Sequence, residues 1–268
     1  MRVVANKFPA LRIEDAPTRQ VDGHRFQFMP GCGAHEVIVE SPSHSLCLAQ
    51  QSVEQIEAVL GTLQWRYEDL MRDPRFQTVI LFKNHGVEAG TSLAHPHWQL
   101  IATPVVPRLL RLKHFEANAH FDRTGRSLYR ELAIQEVASG ARIVATNGSF
   151  IAFMPYASHH PFETWILPLV DQASFRHVPR DQLHSLARVL KKVLLKIHTA
   201  LNNPAFNLTI DDAPRGDEGS ESFLWHMRII PRLTTPAGFE LGSGMSINTV
   251  LPEDAAKFLN EVPIVDVE

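Results

Sequence analysis

HEVIVESPSHSLCLAQQSVEQIEAVLGTLQWRYEDLMRDPRFQTVILFKN, residues 35–84, has a second version further along the chain: FETWILPLVDQASFRHVPRDQLHSLARVLKKVLLKIHTALNNPAFNLTIDD, residues 162–212. Each opens on a glutamate before a β-rich run, Glu36 and Glu163, 127 residues apart. Each places a glutamine in the first turn of a helix-like stretch, Gln55 and Gln182, again 127 apart. Pro74 and Pro204 follow those helices at a spacing of 130, and two His-headed strands, HWQLI from His97 and HMRII from His226, follow at 129. Four landmarks in one order, drifting by three positions, indicate a duplicated unit.

Local patterns fill in each unit. Positions 36–40 and 77–83 are rich in Val, Ile and Phe, which predicts strands. Ser52 or Ser45 caps a helix whose apolar residues are Val53, Ile56, Val59, Leu60, Leu63 and Trp65. The second copy repeats the stripe with Leu183, Leu186, Val189, Leu190, Val193, Leu194 and Ile197, leaving Lys191, Lys192 and Lys196 on the solvated side. Residues 107–141 read as a charged, helical connector. Strands joined through single helices predict an α+β fold with a largely antiparallel sheet. The units divide as 1–106, the connector 107–141, and 142–268, ending in a short helix and an acidic tail.

Composition narrows the function classes. The chain has 268 residues and a net charge of −3, so no global basic field offers itself to a nucleic acid. No apolar run approaches the roughly 18 residues of a membrane helix. The start, MRVVANKFPALRIED, lacks an apolar signal core, and Cys32 and Cys47 are too few for a disulfide framework. These features predict a soluble, cytoplasmic protein. Histidine, at 14 residues, is the unusual component.

Its focus is LAHPHWQLIATP, residues 93–104. Alternation along a strand puts His95, His97 and Gln99 on one face, with Trp98 and Leu100 packing on the other. Pro96 cannot donate to a ladder, which predicts an edge or irregular strand position. Just upstream, Asn84, Gly86, Gly90, Thr91 and Ser92 form a loop whose backbone N–H groups suit phosphate oxygens. A neutral imidazole is a good nucleophile at pH 7 and a good leaving group from phosphorus. Gln99 can hydrogen-bond a phosphate oxygen but has no proton to give up near neutrality, which favours transfer to a phosphate acceptor over acid-assisted hydrolysis.

NHGVEAGTSLAHPHWQ resembles the signature of the galactose-1-phosphate uridylyltransferase family, the transferase branch of the histidine-triad superfamily. NKFPAL at 6–11, HEVIVESPSH at 35–44, PFETWILP at 161–168 and WHMRIIPRLTTPAGFELGSG at 225–244 are similar to family segments in the same order. The resemblance implies tandem histidine-triad-like modules, each a mainly antiparallel sheet with a packed helix. It implies a double displacement in which His97 attacks the α-phosphorus of a UDP-sugar and a hexose 1-phosphate then takes the nucleotidyl group. It implies phosphate and nucleotide contacts at Gln99, Asn84, Gly90 and Ser92, base or ribose contacts at Asn6 and Phe8, and a homodimer. An ADP-sugar or dinucleoside-polyphosphate phosphorylase or adenylyltransferase is the enzymatic alternative, and a non-catalytic nucleotide binder is the alternative of another class.

Metals are where the pattern departs. The resemblance implies a zinc held by a Cys pair, the His of SP-x-H (His44) and the first His of HPH (His95). The Cys pair has no counterpart here, and tetrahedral zinc takes four ligands, so zinc is expected to be absent or substoichiometric unless Cys47 is recruited. A second family metal would use histidines near the WH segment. His226 remains, but Arg228 and the acids Asp211 and Asp212 stand where further ligands would be. His226 and Arg228 share a strand face and are candidates for the acceptor phosphate, or for a structural salt bridge.

Overall fold

Nine strands form one sheet in a computed structural model that describes residues 1–23 and 25–264; the end of the acidic tail lies outside the described residues. The first unit gives β1 (Arg2–Ala5), β2 (Gln20–Asp22), β3 (Phe26–Phe28), β4 (Ala34–Val39), α1 (Val53–Leu70), β5 (Thr78–His85) and β6 (His97–Thr103). The connector is a helix pair, α2 (Arg108–Thr124) and α3 (Leu128–Ser139). The second unit gives β7 (Ile143–Thr146), β8 (Phe150–Phe153), β9 (Thr164–Pro168), α4 (Arg180–Ala200), β10 (Phe206–Asp211), β11 (His226–Pro231), α5 (Gly238–Ser243) and α6 (Pro252–Glu261). β2 and β3 form a separate hairpin.

The sheet order is β1-β4-β6-β5-β10-β11-β9-β8-β7, and every pairing between these strands is antiparallel. The two units join edge to edge, because β5 pairs with β10 from Phe206↔His85 to Ile210↔Leu81. The antiparallel α+β expectation therefore holds, with both copies sharing one sheet. β6 lies between β4 and β5, so it is an interior strand; Pro96 sits just before its first residue, where no ladder N–H is needed.

One face of this sheet is the main core. Leu81, Trp98, Leu100, Leu208, Ile210, Met227 and Ile166 pack against Ile56, Leu60 and Leu63 of α1 and Leu186, Leu190 and Leu194 of α4. Ser52 caps α1 by accepting the Gln55 N–H at 3.2 Å. Two residues of the helical stripes depart from expectation. Trp65 is 57% exposed, because it falls two positions after Leu63, about 200° around the helix, and its ring lies against the Arg66 guanidinium. Lys196 is buried, because its Nζ reaches through the apolar surface to Val144 O (2.7 Å) and Asn260 Oδ1 (2.5 Å).

The two units differ on the opposite face. Over the second unit, α2 and α3 bury Ile151, Phe153 and Leu167 beneath Ala117, Tyr129 and Ala133. Over the first unit no helix pair among the described residues makes such a lid, and Ile80, Phe82, Asn84, Val37 and Gln99 stay partly exposed.

Candidate active site

His97 and Gln99 belong to that open face. Register pairs Val39 with His97 and Val37 with Gln99 on one side, and Phe82 with Gln99 on the other, so these side chains point the same way. Trp98, between them, points into the core with no exposed surface; it packs, as expected, and does not face the site.

The His97 ring has a fixed orientation. Its Nδ1 lies 2.8 Å from His95 O, and a carbonyl only accepts, so Nδ1 carries the proton. In the neutral ring Nε2 then holds the lone pair, and no described residue hydrogen-bonds it. The backbone of His97 is held from behind: Lys83 Nζ donates to His97 O at 3.2 Å and pairs with Glu40 Oε1 at 2.8 Å, all within the interior.

Gln99 is engaged by a residue absent from the sequence-based candidates. Its Oε1 lies 2.9 Å from His35 Nε2. His35 Nδ1 accepts the Ala10 N–H at 3.1 Å, and Asn6 Nδ2 lies 3.0 Å from His35 Nε2. The contact is diagonal across the β4–β6 ladder, since His35 pairs with Ile101 while Gln99 pairs with Val37. An imidazole heading the otherwise apolar alternation His35, Val37, Val39 was the available signal.

The other first-unit candidates lie on the neighbouring strand, the loop after it and the N-terminal segment. Asn84 continues the face of Phe82 and accepts from Asn207 Nδ2 through its Oδ1 at 2.9 Å. Gly86 has φ +83°, and a Cβ there would meet Ala205 Cβ at 2.6 Å, so only glycine fits. Gly90 also has φ +83° and ends the short turn Val87–Ala89; Ser92 follows in an exposed stretch. Asn6 sits against His35, while Phe8 is 81% exposed, with its N–H on Asn6 Oδ1 at 2.9 Å.

His95 precedes the strand, so the alternation covers His97 and Gln99 only. Its Nε2 donates to Ser41 O at 2.7 Å, and its Nδ1 lies 3.0 Å from His44 Nδ1. The zinc pair is thus side by side, but the rest of a zinc set is missing. Cys47 Sγ is near Gln50 Oε1 and His198 Nδ1, and among the described residues no three His, Cys, Asp or Glu side chains converge to hold a metal ion. Two imidazoles in direct contact do not supply tetrahedral zinc with four ligands.

His226 and Arg228 lie elsewhere. Arg228, Thr209, Phe82 and Gln99 form one row across β11, β10, β5 and β6, so Arg228 is three strand spacings, about 14 Å, from Gln99. Both second-unit residues turn to Asp211. Arg228 Nε lies 2.6 Å and Lys113 Nζ, from the connector, 2.5 Å from its Oδ2. His226 Nε2 lies 3.1 Å from the same oxygen, a contact that carries charge only while the ring is protonated. Burial alone would raise the Asp211 carboxyl, but His226, Arg228 and Lys113 outweigh it and hold the group well below the usual carboxylate range. Burial lowers both His226 and Lys113.

Comparisons with known proteins show what the chain as a whole is similar to. Residues 1–107 match the family described as galactose-1-phosphate uridyl transferase, N-terminal domain. An ADP-glucose phosphorylase of Arabidopsis thaliana is 32% identical over 98% of this chain and 75% of its own length. A galactose-1-phosphate uridylyltransferase of Thermotoga maritima is 26% identical over 97% of this chain and 83% of its own. The crystal structure of an ADP-glucose phosphorylase from Arabidopsis thaliana with bound ADP-glucose superposes with a TM-score of 0.87 at 30% identity, covering 98% of this chain and 82% of that one.

Proposed function

Because this chain belongs to the galactose-1-phosphate uridyl transferase family, we propose that it moves a nucleotidyl group from a nucleoside diphosphate sugar to a phosphate acceptor through a covalent bond to His97. The observation that carries the reading is the His97 Nδ1–His95 O bond, which puts the proton on Nδ1 and leaves the lone pair on Nε2 of a largely buried ring, with no hydrogen-bond partner among the described residues. Nε2 attacks the α-phosphorus; the bond from that phosphorus to the bridging oxygen breaks, and the sugar 1-phosphate leaves with the electron pair. In the second half an acceptor phosphate oxygen attacks the same phosphorus, and the P–N pair returns to Nε2. Gln99, Asn84 and the Gly86–Ser92 loop serve the phosphate oxygens, and Asn6 and Phe8 serve the nucleoside. His95 and His44 brace the turn before the strand.

The donor and acceptor pair we assign is UDP-glucose with a hexose 1-phosphate, as in galactose metabolism. A second reading, ADP-glucose with inorganic phosphate, is favoured by the 32% identity to the Arabidopsis ADP-glucose phosphorylase. The assignment includes a homodimer, supported by apolar side chains left open at Phe8, Phe26, Phe28, Phe239 and Leu241. It also includes a cytoplasmic location, supported by the two free cysteines; no helix among the described residues is long and apolar enough to cross a membrane.

The test uses UDP-glucose and ADP-glucose, each labelled at the α-phosphorus. An acid-labile label on the protein from one of them, discharged by hexose 1-phosphate or by phosphate, assigns base and acceptor together. Binding of both nucleotides without any protein label would instead describe a non-catalytic binder.

A further inference from the structure

The carboxamide of Gln99 has two ends of opposite chemistry. Its NH2 donates to a phosphate oxygen, whereas its carbonyl oxygen would repel one. The two ends have nearly the same shape, so the outcome depends on what meets the other end.

Here that partner is His35, and its tautomer follows from a bond that runs only one way. The Ala10 N–H, a backbone donor, lies 3.1 Å from His35 Nδ1. Nδ1 is therefore the acceptor, and the neutral ring carries its proton on Nε2. Nε2 lies 2.9 Å from Gln99 Oε1 and donates to it. Asn6 Nδ2 also lies 3.0 Å from Nε2, but its Oδ1 takes the Phe8 N–H and an amide nitrogen does not accept, so Gln99 Oε1 is the acceptor for this proton. Inverting the Gln99 carboxamide would leave the Nε2–H between two NH2 groups with no acceptor. Among the described residues no protein group accepts from Gln99 Nε2, so the NH2 is left for a ligand. We infer that His35 is a positioning residue that locks the Gln99 carboxamide with its NH2 toward the α-phosphate; this rests on the nucleotidyl-transfer reading above.

The lock extends into the N-terminal segment. Asn6 N donates to His35 O at 2.9 Å, Asn6 Oδ1 is occupied by the Phe8 N–H, and Ala10 supplies the N–H that sets the tautomer. Residues 6–10 thus clip His35 from both ends. A nucleoside seated against Asn6 and Phe8 would press on the same residue that aims Gln99. Selection of the donor and orientation of the phosphate contact therefore share one side chain.

The experiment is a double-mutant cycle read by single-turnover formation of the labelled protein, using whichever labelled nucleotide sugar the wild type accepts. His35→Leu removes the donor and should slow labelling about tenfold, the equivalent of one hydrogen bond, with donor binding changed less than about threefold. In a Gln99→Ala background the same change should cost less than about twofold, because His35 acts through Gln99. His35→Gln keeps an N–H for Oε1 and should label near the wild-type rate. His35→Glu, of the same shape but accepting only, should be as slow as His35→Leu. The Gln/Glu pair carries the test if the leucine variant does not fold. Equal His35→Leu factors in both backgrounds, or equal rates for His35→Gln and His35→Glu, would overturn the positioning role. A wild type that labels with neither UDP-glucose nor ADP-glucose would overturn the transfer reading first, before any variant is compared.

Discussion

His97 and His226 make the same bond: each directs Nδ1 at the carbonyl oxygen two residues earlier, His95 O at 2.8 Å and Leu224 O at 3.0 Å. The duplication thus persists at the level of a single ring orientation. What differs is the other nitrogen. Nε2 of His97 has no hydrogen-bond partner among the described residues, while Nε2 of His226 lies 3.1 Å from Asp211 Oδ2, its ring against Trp165 (4.9 Å) and Tyr129 (4.8 Å). Lid helices α2 and α3 account for the difference, because they cover the second unit and leave the first uncovered.

His226→Ala tests this division of labour. The side chain has no exposed surface, so its removal leaves a cavity and should cost about 2–4 kcal/mol in urea unfolding. The folded variant should still form one labelled histidine per chain. Loss of labelling with the fold intact would place the chemistry in the second unit.

Asp211→Asn should be more damaging than its position far from His97 suggests. It leaves Lys113 and Arg228, each with a side chain about 16% exposed, facing each other without the shared carboxylate. Breaking one partner of a buried ionic cluster costs about 3–5 kcal/mol. Because the folded carboxyl is held below its ordinary value, its contribution is present above about pH 4 and is lost as the pH falls further. The variant's unfolding free energy should therefore change less between pH 4 and pH 2 than the wild type's.

Asp212 should give the opposite slope. Burial raises its carboxyl to about 6, against hydrogen bonds from Phe175 N–H (2.8 Å) and Ser174 Oγ (3.1 Å). A carboxyl whose folded value exceeds its unfolded one binds a proton on folding. Its contribution is full below about pH 4 and is lost as the pH rises to about 6, a change on the order of 2–3 kcal/mol. Denaturant titrations from pH 4 to 7 on wild type and Asp212→Asn should show this slope removed in the variant. An unchanged slope would show that the titrating group lies elsewhere.

Much of this architecture was legible because it is periodic. The matched spacings from Glu36 and Glu163 to His97 and His226 anticipated two copies, and alternation placed Gln99 opposite Trp98. What local pattern could not carry was long-range. His35 acts on Gln99 from 64 positions away, through a strand pairing the pattern does not specify. Lys113 reaches Asp211 from a connector that reads only as charged and helical. Trp65 was misplaced because it falls about 200° around the helix from Leu63, and Lys196 because its long stem lets the charged head turn inward to polar partners. The two tryptophans make that contrast measurable. Trp98→Ala should cost about 3–5 kcal/mol in unfolding and Trp65→Ala less than about 0.5 kcal/mol.

The most direct test is to locate the nucleotidyl group. Protein reacted with the accepted nucleotide sugar is quenched in base, digested and mapped by mass spectrometry. The account predicts one adduct, on the histidine of the peptide carrying HPHWQ and assigned by fragmentation to His97, absent in His97→Asn and discharged when the acceptor is added before the quench. An adduct on His95, His44 or His226, or full turnover by His97→Asn, would contradict it.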